Sequence, residues 1–377
     1  MIPFFAPDLF AAERETFDAV LREVATDPAQ IFILGPRTAR LEAALAEATG
    51  AADVVACGSG TTALTMTLRA LGVGPGDEVI VPAFGCAPLA AAPLALGAIP
   101  VFADVDPVTL TMDPDAAEAL VTPRTRAVVP AHQFSMMADM PRFCELADRR
   151  GLRLAEDSAV AQGARLRGVP AGLWGDAGLY SFVQVKTFGM PGEGGVVVTR
   201  DAELGRAVRR LRNHGQDGRT RFLHQTVGYN SRFDEIQAAF QLRRLPTLDR
   251  RLARREEIGR YYTGQFAALA ERGVQSPPDA VDGRCYYVYN LLADDRDGLA
   301  VHLAAAGVAT HAYYPAPLPR QPAFAAWAPP GATWPAAESA SRRCLALPIY
   351  PHLTDAQVTH VAEAVRSFVP EAAGATR

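Results

Sequence analysis

The sequence predicts an α/β fold, with a large, mostly parallel sheet covered by helices and a smaller C-terminal α+β unit. Three observations carry this. The apolar runs ADVVAC, DEVIVPA, IPVFADV, RAVVPAH, LRLAED, AGLYSF and GGVVVT follow one another between helical or turn-rich segments, the pattern of buried parallel strands. After GGVVVT the pattern changes to long Arg-rich helices. The length, 377 residues, suits two domains at roughly 100 to 200 residues each.

In chain order, an amphipathic pattern over Asp8 to Ala25 predicts a helix, followed by the loop IFILGP and a second helix over Thr38 to Thr49. From Val79 to Ala103 no residue is charged, long enough to span a bilayer, but Pro82, Pro88, Pro93 and Pro100 interrupt it. It reads as buried strand, helix, strand. The segments RDAELGRAVRRLRNHG and SRFDEIQAAFQLRRL predict the Arg-rich helices, and Pro246 marks a boundary. This divides a large domain, residues 1–245 with an N-terminal helical arm, from a small one, residues 246–377. The small unit should hold the strand YYVYNLLA, a helix over Asp297 to Ala306 and the Pro-rich loop YYPAPLPRQPAF. Its last helix carries a capping box, Thr354 with Gln357, and an apolar stripe through Val358, Val361, Val365 and Phe368.

Composition excludes several classes. With 49% hydrophobic and 21% charged residues the chain is globular, and a net charge of -4 gives no general attraction for nucleic acid or an anionic membrane. The Arg-rich runs Arg206 to Arg221 and Arg243 to Arg255 are diluted by Asp217, Asp249, Glu256 and Glu257, and read as solvated faces or a diphosphate anchor. Cys57, Cys86, Cys144, Cys285 and Cys344 lack CxxC spacing, which predicts no metal centre and no disulfide framework. The N-terminus does not read as a signal peptide. A cytoplasmic protein is expected.

Chemistry enters with one residue. Among 37 basic residues a single one, Lys186, is lysine. A guanidinium stays protonated, whereas a desolvated ammonium can lose its proton and condense with a carbonyl. Lys186 is therefore the candidate nucleophile, beside the plainer reading that one lysine survived a codon bias. It lies in a Gly-rich turn after a strand. Asp157 closes the strand LRLAED, where ligands of open α/β sheets gather; it could pair with a protonated pyridine nitrogen and keep that ring an electron sink, or simply cap the next segment. In CGSGTTAL, Gly58 and Gly60 form a turn opening a helix whose first N–H groups would attract phosphate, with Thr61 and Thr62 adding hydroxyls. A dinucleotide site matches the glycines but lacks the acid closing the next strand, and a plain helix start is the remaining reading.

SGTTAL, the strand-end Asp157 and SFVQVK together resemble the DegT/StrS family of sugar aminotransferases, which depend on pyridoxal 5'-phosphate (PLP) and have the aspartate-aminotransferase-like fold type I. The blocks GPGDEVIVPAF, PVFADVDP, GDAGLYSF, GEGGVVVT, GYNSRFDEIQAA and LPIYPHLT extend the resemblance over nearly the whole chain. It implies that Lys186 carries the cofactor as a Schiff base, that Asp157 holds the pyridine nitrogen, and that Ser181, Gly60, Thr61 and Thr62 bind the phosphate. Asn230 would reach a phosphate across a homodimer with shared active sites, and Arg212, His214 and Tyr313 would help bind substrate. The expected reaction moves an amino group from glutamate or glutamine to a keto-sugar or keto-cyclitol, with pyridoxamine 5'-phosphate formed on the way.

Three departures mark this chain. Cys86 stands where the family places an aromatic ring against the cofactor, Val160 where it has glutamine near the ring hydroxyl, and Met136 and Met137 where small and Pro-like residues are usual. Gln133, Gln162 or Gln184 could replace the lost contact, and the methionines read as core. Two other readings stand beside transamination: a PLP lyase, dehydratase or condensing enzyme, and a non-catalytic regulator on the same scaffold.

Overall fold

The computed structural model describes residues 1–6, 10–278, 282–284 and 286–369. Residues 7–9, at the start of the expected first helix, and Cys285 lie outside them.

Helix α1 (Arg14–Ala25) follows a 3-10 turn at Ala11–Glu13, and α2 (Pro36–Thr49) opens on a proline. The central sheet holds β1 (Asp53–Cys57), β2 (Glu78–Pro82), β3 (Ile99–Ala103), β4 (Thr125–Val128), β5 (Arg153–Asp157), then, beyond the short hairpin β6 (Arg165–Leu166) and β7 (Val169–Pro170), β8 (Ala177–Ser181) and β9 (Gly195–Thr199). Its order is β1-β9-β8-β5-β4-β2-β3. Only β9 runs antiparallel to its neighbours. All seven strands coincide with the apolar runs, because a strand buried on both faces needs continuous hydrophobicity.

Alternation along each strand divides the core. Val55, Val79, Val81, Ala127, Ala155 and Val197 pack under α3 (Gly60–Ala70), α4 (Pro88–Leu94) and later α7 (Ala202–Arg212). On the reverse face Val54, Val196 and Val198 meet α1, α2 and α8 (Glu235–Arg244). Ile80, Val128 and Leu154 are covered there with α5 (Pro114–Ala119) and α6 (Met140–Arg150). The uncharged stretch Val79 to Ala103 is β2, α4 and β3, as its prolines require.

Pro246 sits in a 3-10 turn between α8 and α9 (Leu248–Phe266). Leu248 packs on the large-sheet core, while Ile258, Tyr262 and Phe266 enter the C-terminal core. That second core surrounds the antiparallel sheet β10 (Val274–Gln275), β11 (Tyr289–Ala293) and β12 (Cys344–Leu347), with α10 (Arg296–Ala305), α11 (Pro335–Arg343) and α12 (Asp355–Ser367). Ile2 and Ala6, from the far end of the chain, join it. Thr354 and Gln357 cap α12 reciprocally, and its stripe Val358, Val361, Val365 and Phe368 is buried. The Pro-rich loop folds back on the large sheet, where the Leu318 N–H donates to the Ala83 carbonyl at 2.7 Å. That return positions Tyr313 and Tyr314.

Candidate active site

The C-terminal ends of β1, β5 and β8 lie along one edge of the sheet, since these strands share one direction. A cavity of about 240 Å³ opens there. Ser59, Gly60 and Thr61 line it after β1, Asp157, Ala159 and Val160 after β5, and Ser181 and Lys186 after β8. The small unit closes it with Tyr287, Tyr313 and Tyr314.

The start of α3 is built for an anion. Ser59 caps it by accepting from the Thr62 N–H at 3.1 Å, and helix geometry leaves the Gly60 and Thr61 N–H groups without intrahelical acceptors. Neighbouring backbone crowds this corner. A Cβ on Gly60 would stand 2.9 Å from Ser181 Cβ, and one on Gly195 would stand 2.9 Å from the Gly60 nitrogen. Glycine at both places lets the helix N-terminus and the Ser181 hydroxyl face one point, and the helix dipole adds partial positive charge. Gly60→Ala is expected to keep the fold at a cost of about 1 to 3 kcal/mol from overpacking, and to weaken retention of a phosphate-bearing cofactor. Thermal denaturation and cofactor titration check the two parts.

Lys186 follows a tight turn in which its N–H donates to the Val183 carbonyl at 2.9 Å and its own carbonyl accepts from Gly189 at 3.0 Å. Nζ lies 4.5 Å from the Tyr287 ring centroid. Burial pulls its ammonium below the ordinary lysine range, opposed by Cys86, Asp157, Tyr313 and Glu193, so the free amine is favoured. Asp157, buried, has its carboxyl pushed up by burial, while the Ala159 N–H and Lys186 act the other way. Its Oδ1 accepts from the Ala159 N–H at 3.0 Å. A cation brought into the cavity would meet a carboxylate with little else to hold it. A phosphate cradle, an amine and a buried carboxylate around one cavity fit PLP.

The departures resolve unevenly. Cys86 opens onto the cavity, and burial raises its thiol, so it lies there as a neutral, soft surface. Val160 lines the cavity as well. Of the three glutamines, Gln133 alone lines it; its amide nitrogen donates to the Phe84 carbonyl at 2.7 Å and the Leu110 carbonyl at 3.1 Å. Met136 and Met137 are buried away from the cavity, as core.

Other expected residues lie elsewhere. Arg212 is buried and commits its guanidinium to Glu42 and the Ala56 carbonyl. This corrects its reading as a substrate contact: it lies outside the cavity lining, and its charge is paired inward with Glu42. His214 occupies a turn at φ 57°, its N–H donating to the Tyr229 carbonyl, and lies outside the cavity lining. Asn230 is exposed, also outside the lining, its Oδ1 accepting from Arg232 at 3.0 Å. The Thr62 hydroxyl is engaged with Ser231 at 2.8 Å. Tyr313 lines the cavity, and its hydroxyl meets that of Tyr287, whose phenol burial raises to about 12. Sequence reasoning missed Tyr287, Tyr314, Phe134, Glu193 and His132, all in the lining; the aromatic clusters YYVYN and AYYP were the available signal.

Comparison with known proteins agrees with this geometry. The family model described as the DegT/DnrJ/EryC1/StrS aminotransferase family matches residues 12–366. A dTDP-3-amino-3,4,6-trideoxy-alpha-D-glucose transaminase of Streptomyces venezuelae is 41% identical over 338 residues, covering 89% of this chain and 88% of the relative. A pleiotropic regulatory protein of Geobacillus stearothermophilus is 40% identical over 339 residues, covering 89% and 90%. The crystal structure of S. venezuelae DesV in complex with a ketimine intermediate superimposes with a TM-score of 0.92 at 40% identity, covering 97% of each chain.

Proposed function

Since the chain belongs to the DegT/DnrJ/EryC1/StrS aminotransferase family, we propose that it moves an amino group from glutamate or glutamine onto the keto group of a nucleotide-linked sugar or a cyclitol. It is a PLP-dependent aminotransferase of fold type I. When bound, PLP supplies a reactive aldehyde and an electron-withdrawing ring. Lys186 would hold the aldehyde carbon and, once displaced by the donor, carry the proton between substrate and cofactor carbons. Asp157 would pair with the ring nitrogen, and Ser181 with the Gly60 and Thr61 N–H groups would grip the phosphate. Tyr287, Tyr313 and Tyr314 exclude water from the substrate face.

The observation that carries this reading is the meeting of Lys186, Asp157 and the α3 N-terminus around one cavity. The choice of acceptor rests on relatives named for nucleotide-sugar and scyllo-inosose amination. A homodimer belongs to the same proposal. Asn230 sits exposed outside its own cavity, and Ile31, Phe32, Ile33, Phe222, Leu223 and Val227 present large apolar surface, as an interface would. The described cysteines are free thiols, which suits a cytoplasmic setting. Among the described residues no helix is long and apolar enough to cross a membrane.

Holoenzyme mixed with glutamine or glutamate in the absence of acceptor should lose the visible band of its lysine-bound cofactor and release the matching oxo acid. If neither donor does this while another substrate is consumed, the transamination proposal fails.

A further inference from the structure

Beside Asp157 lies a buried pair, one member of which, His132, borders the cavity, that the reaction as described does not use. Glu156 and His132 are both fully enclosed, with His132 Nε2 3.1 Å from Glu156 Oε2. Glu156 also accepts three backbone N–H groups, from Gly172 at 2.8 Å, Trp174 at 2.6 Å and Gly175 at 2.9 Å. The other imidazole nitrogen, Nδ1, accepts from the Ala138 N–H at 3.1 Å, so the neutral ring carries its proton on Nε2 and donates it to Glu156. One carboxylate thus ties the segment after β4 to the loop before β8. The backbone continues the clamp: the Asp157 N–H donates to the Pro130 carbonyl at 3.0 Å, and the His132 N–H donates to the Asp157 carbonyl at 2.9 Å. The Asp157 carboxylate itself has the Ala159 N–H. Its direction is therefore inherited from the backbone at the end of β5, which is held by main-chain bonds to Pro130 and His132 and, one residue earlier, by the Glu156–His132 side-chain pair.

We propose that His132, held in the Nε2–H tautomer by Glu156, is a positioning residue for Asp157. By fixing the end of β5 it aims the cavity-facing carboxylate, and so governs how tightly the chain holds PLP and how well Asp157 pairs with the ring nitrogen. This rests on the reading that Asp157 is that nitrogen's partner. Loss of such a supporting contact weakens a site by a factor on the order of ten.

The test compares His132→Phe, which fills the space without either hydrogen bond, with His132→Gln, whose amide can donate to Glu156 and accept from Ala138. Apoprotein of each is titrated with PLP, and the visible band of the holoenzyme is followed against pH. His132→Phe should bind PLP about tenfold more weakly than wild type, with a shifted spectral midpoint and a kcat reduced more than the donor KM changes. His132→Gln should recover most of the affinity and the midpoint. If His132→Phe lowers only the melting temperature of the apoprotein, leaving PLP affinity and midpoint at wild-type values, the pair is purely structural and the proposal is overturned. Should His132→Phe not fold, His132→Asn, whose shorter amide cannot span both Glu156 and Ala138, takes its place: PLP binding weakened severalfold with a shifted midpoint supports the proposal, and wild-type affinity and midpoint overturn it. Asp157→Asn run in parallel separates the premise, because unchanged PLP affinity there removes the role of Asp157 itself.

Discussion

Lys186→Arg is expected to abolish turnover, by at least about 10³-fold, since both covalent attachment and proton transfer leave with the amine. The protein should fold, because a guanidinium can stack on the Tyr287 ring as the ammonium does at 4.5 Å. The charge, however, becomes permanent. Burial favours the neutral amine at Lys186, whereas a guanidinium keeps its proton at any working pH. The variant should bind PLP without the absorption of a lysine-bound cofactor. Absorption spectra, steady-state rates and melting temperatures check the three parts. Because the chain has no second lysine, no other side-chain amine can take over, and residual turnover near the wild-type rate would remove Lys186 from its role.

Fold and site were legible in the sequence to different depths, for physical reasons. Strands buried on both faces announce themselves as unbroken apolar runs, so all seven large-sheet strands were readable, as was the capping box of α12, whose two partners are three residues apart. The start of α1 was not, since Glu13 supplies no side-chain cap and the first turn is 3-10. Asp157 and Gly60 could be read because one closes a strand and the other opens a helix at the same edge of the sheet, and Lys186 because it is the chain's single lysine, in a turn beyond β8. Tyr287 and Tyr314 come from a segment folding back from the other unit, a juxtaposition that no local pattern encodes. Arg212 misled for the opposite reason. It sits one turn from a Gly-rich loop in sequence, yet Glu42, 170 residues away, takes its charge inward. A basic residue near a site becomes a ligand only when the fold leaves its donors unspent.

Asp157→Asn should change the apo and holo proteins in opposite directions. In the apoprotein burial raises the carboxyl, with the Ala159 N–H and Lys186 offsetting it only in part. A raised carboxyl means that the folded state binds more protons than the unfolded one just above the ordinary carboxylate range. Stability therefore falls as pH rises through that window, and the full penalty stands above the folded value. The neutral amide removes this penalty, so apo Asp157→Asn should melt no lower than wild type at neutral pH and should lose that part of the pH dependence. With PLP present the sign reverses. The carboxylate then faces a cationic ring nitrogen in a buried site, where removing one member of such a pair costs about 3 to 5 kcal/mol, a factor of roughly 10² to 5 × 10³ in affinity or rate. Melting curves with and without PLP across pH 4 to 8, about the range in which carboxylates and imidazoles titrate, check the crossing, and PLP titration gives its size. A variant less stable than wild type without PLP and equal to it with PLP would give Asp157 a structural duty and leave the ring nitrogen without its partner.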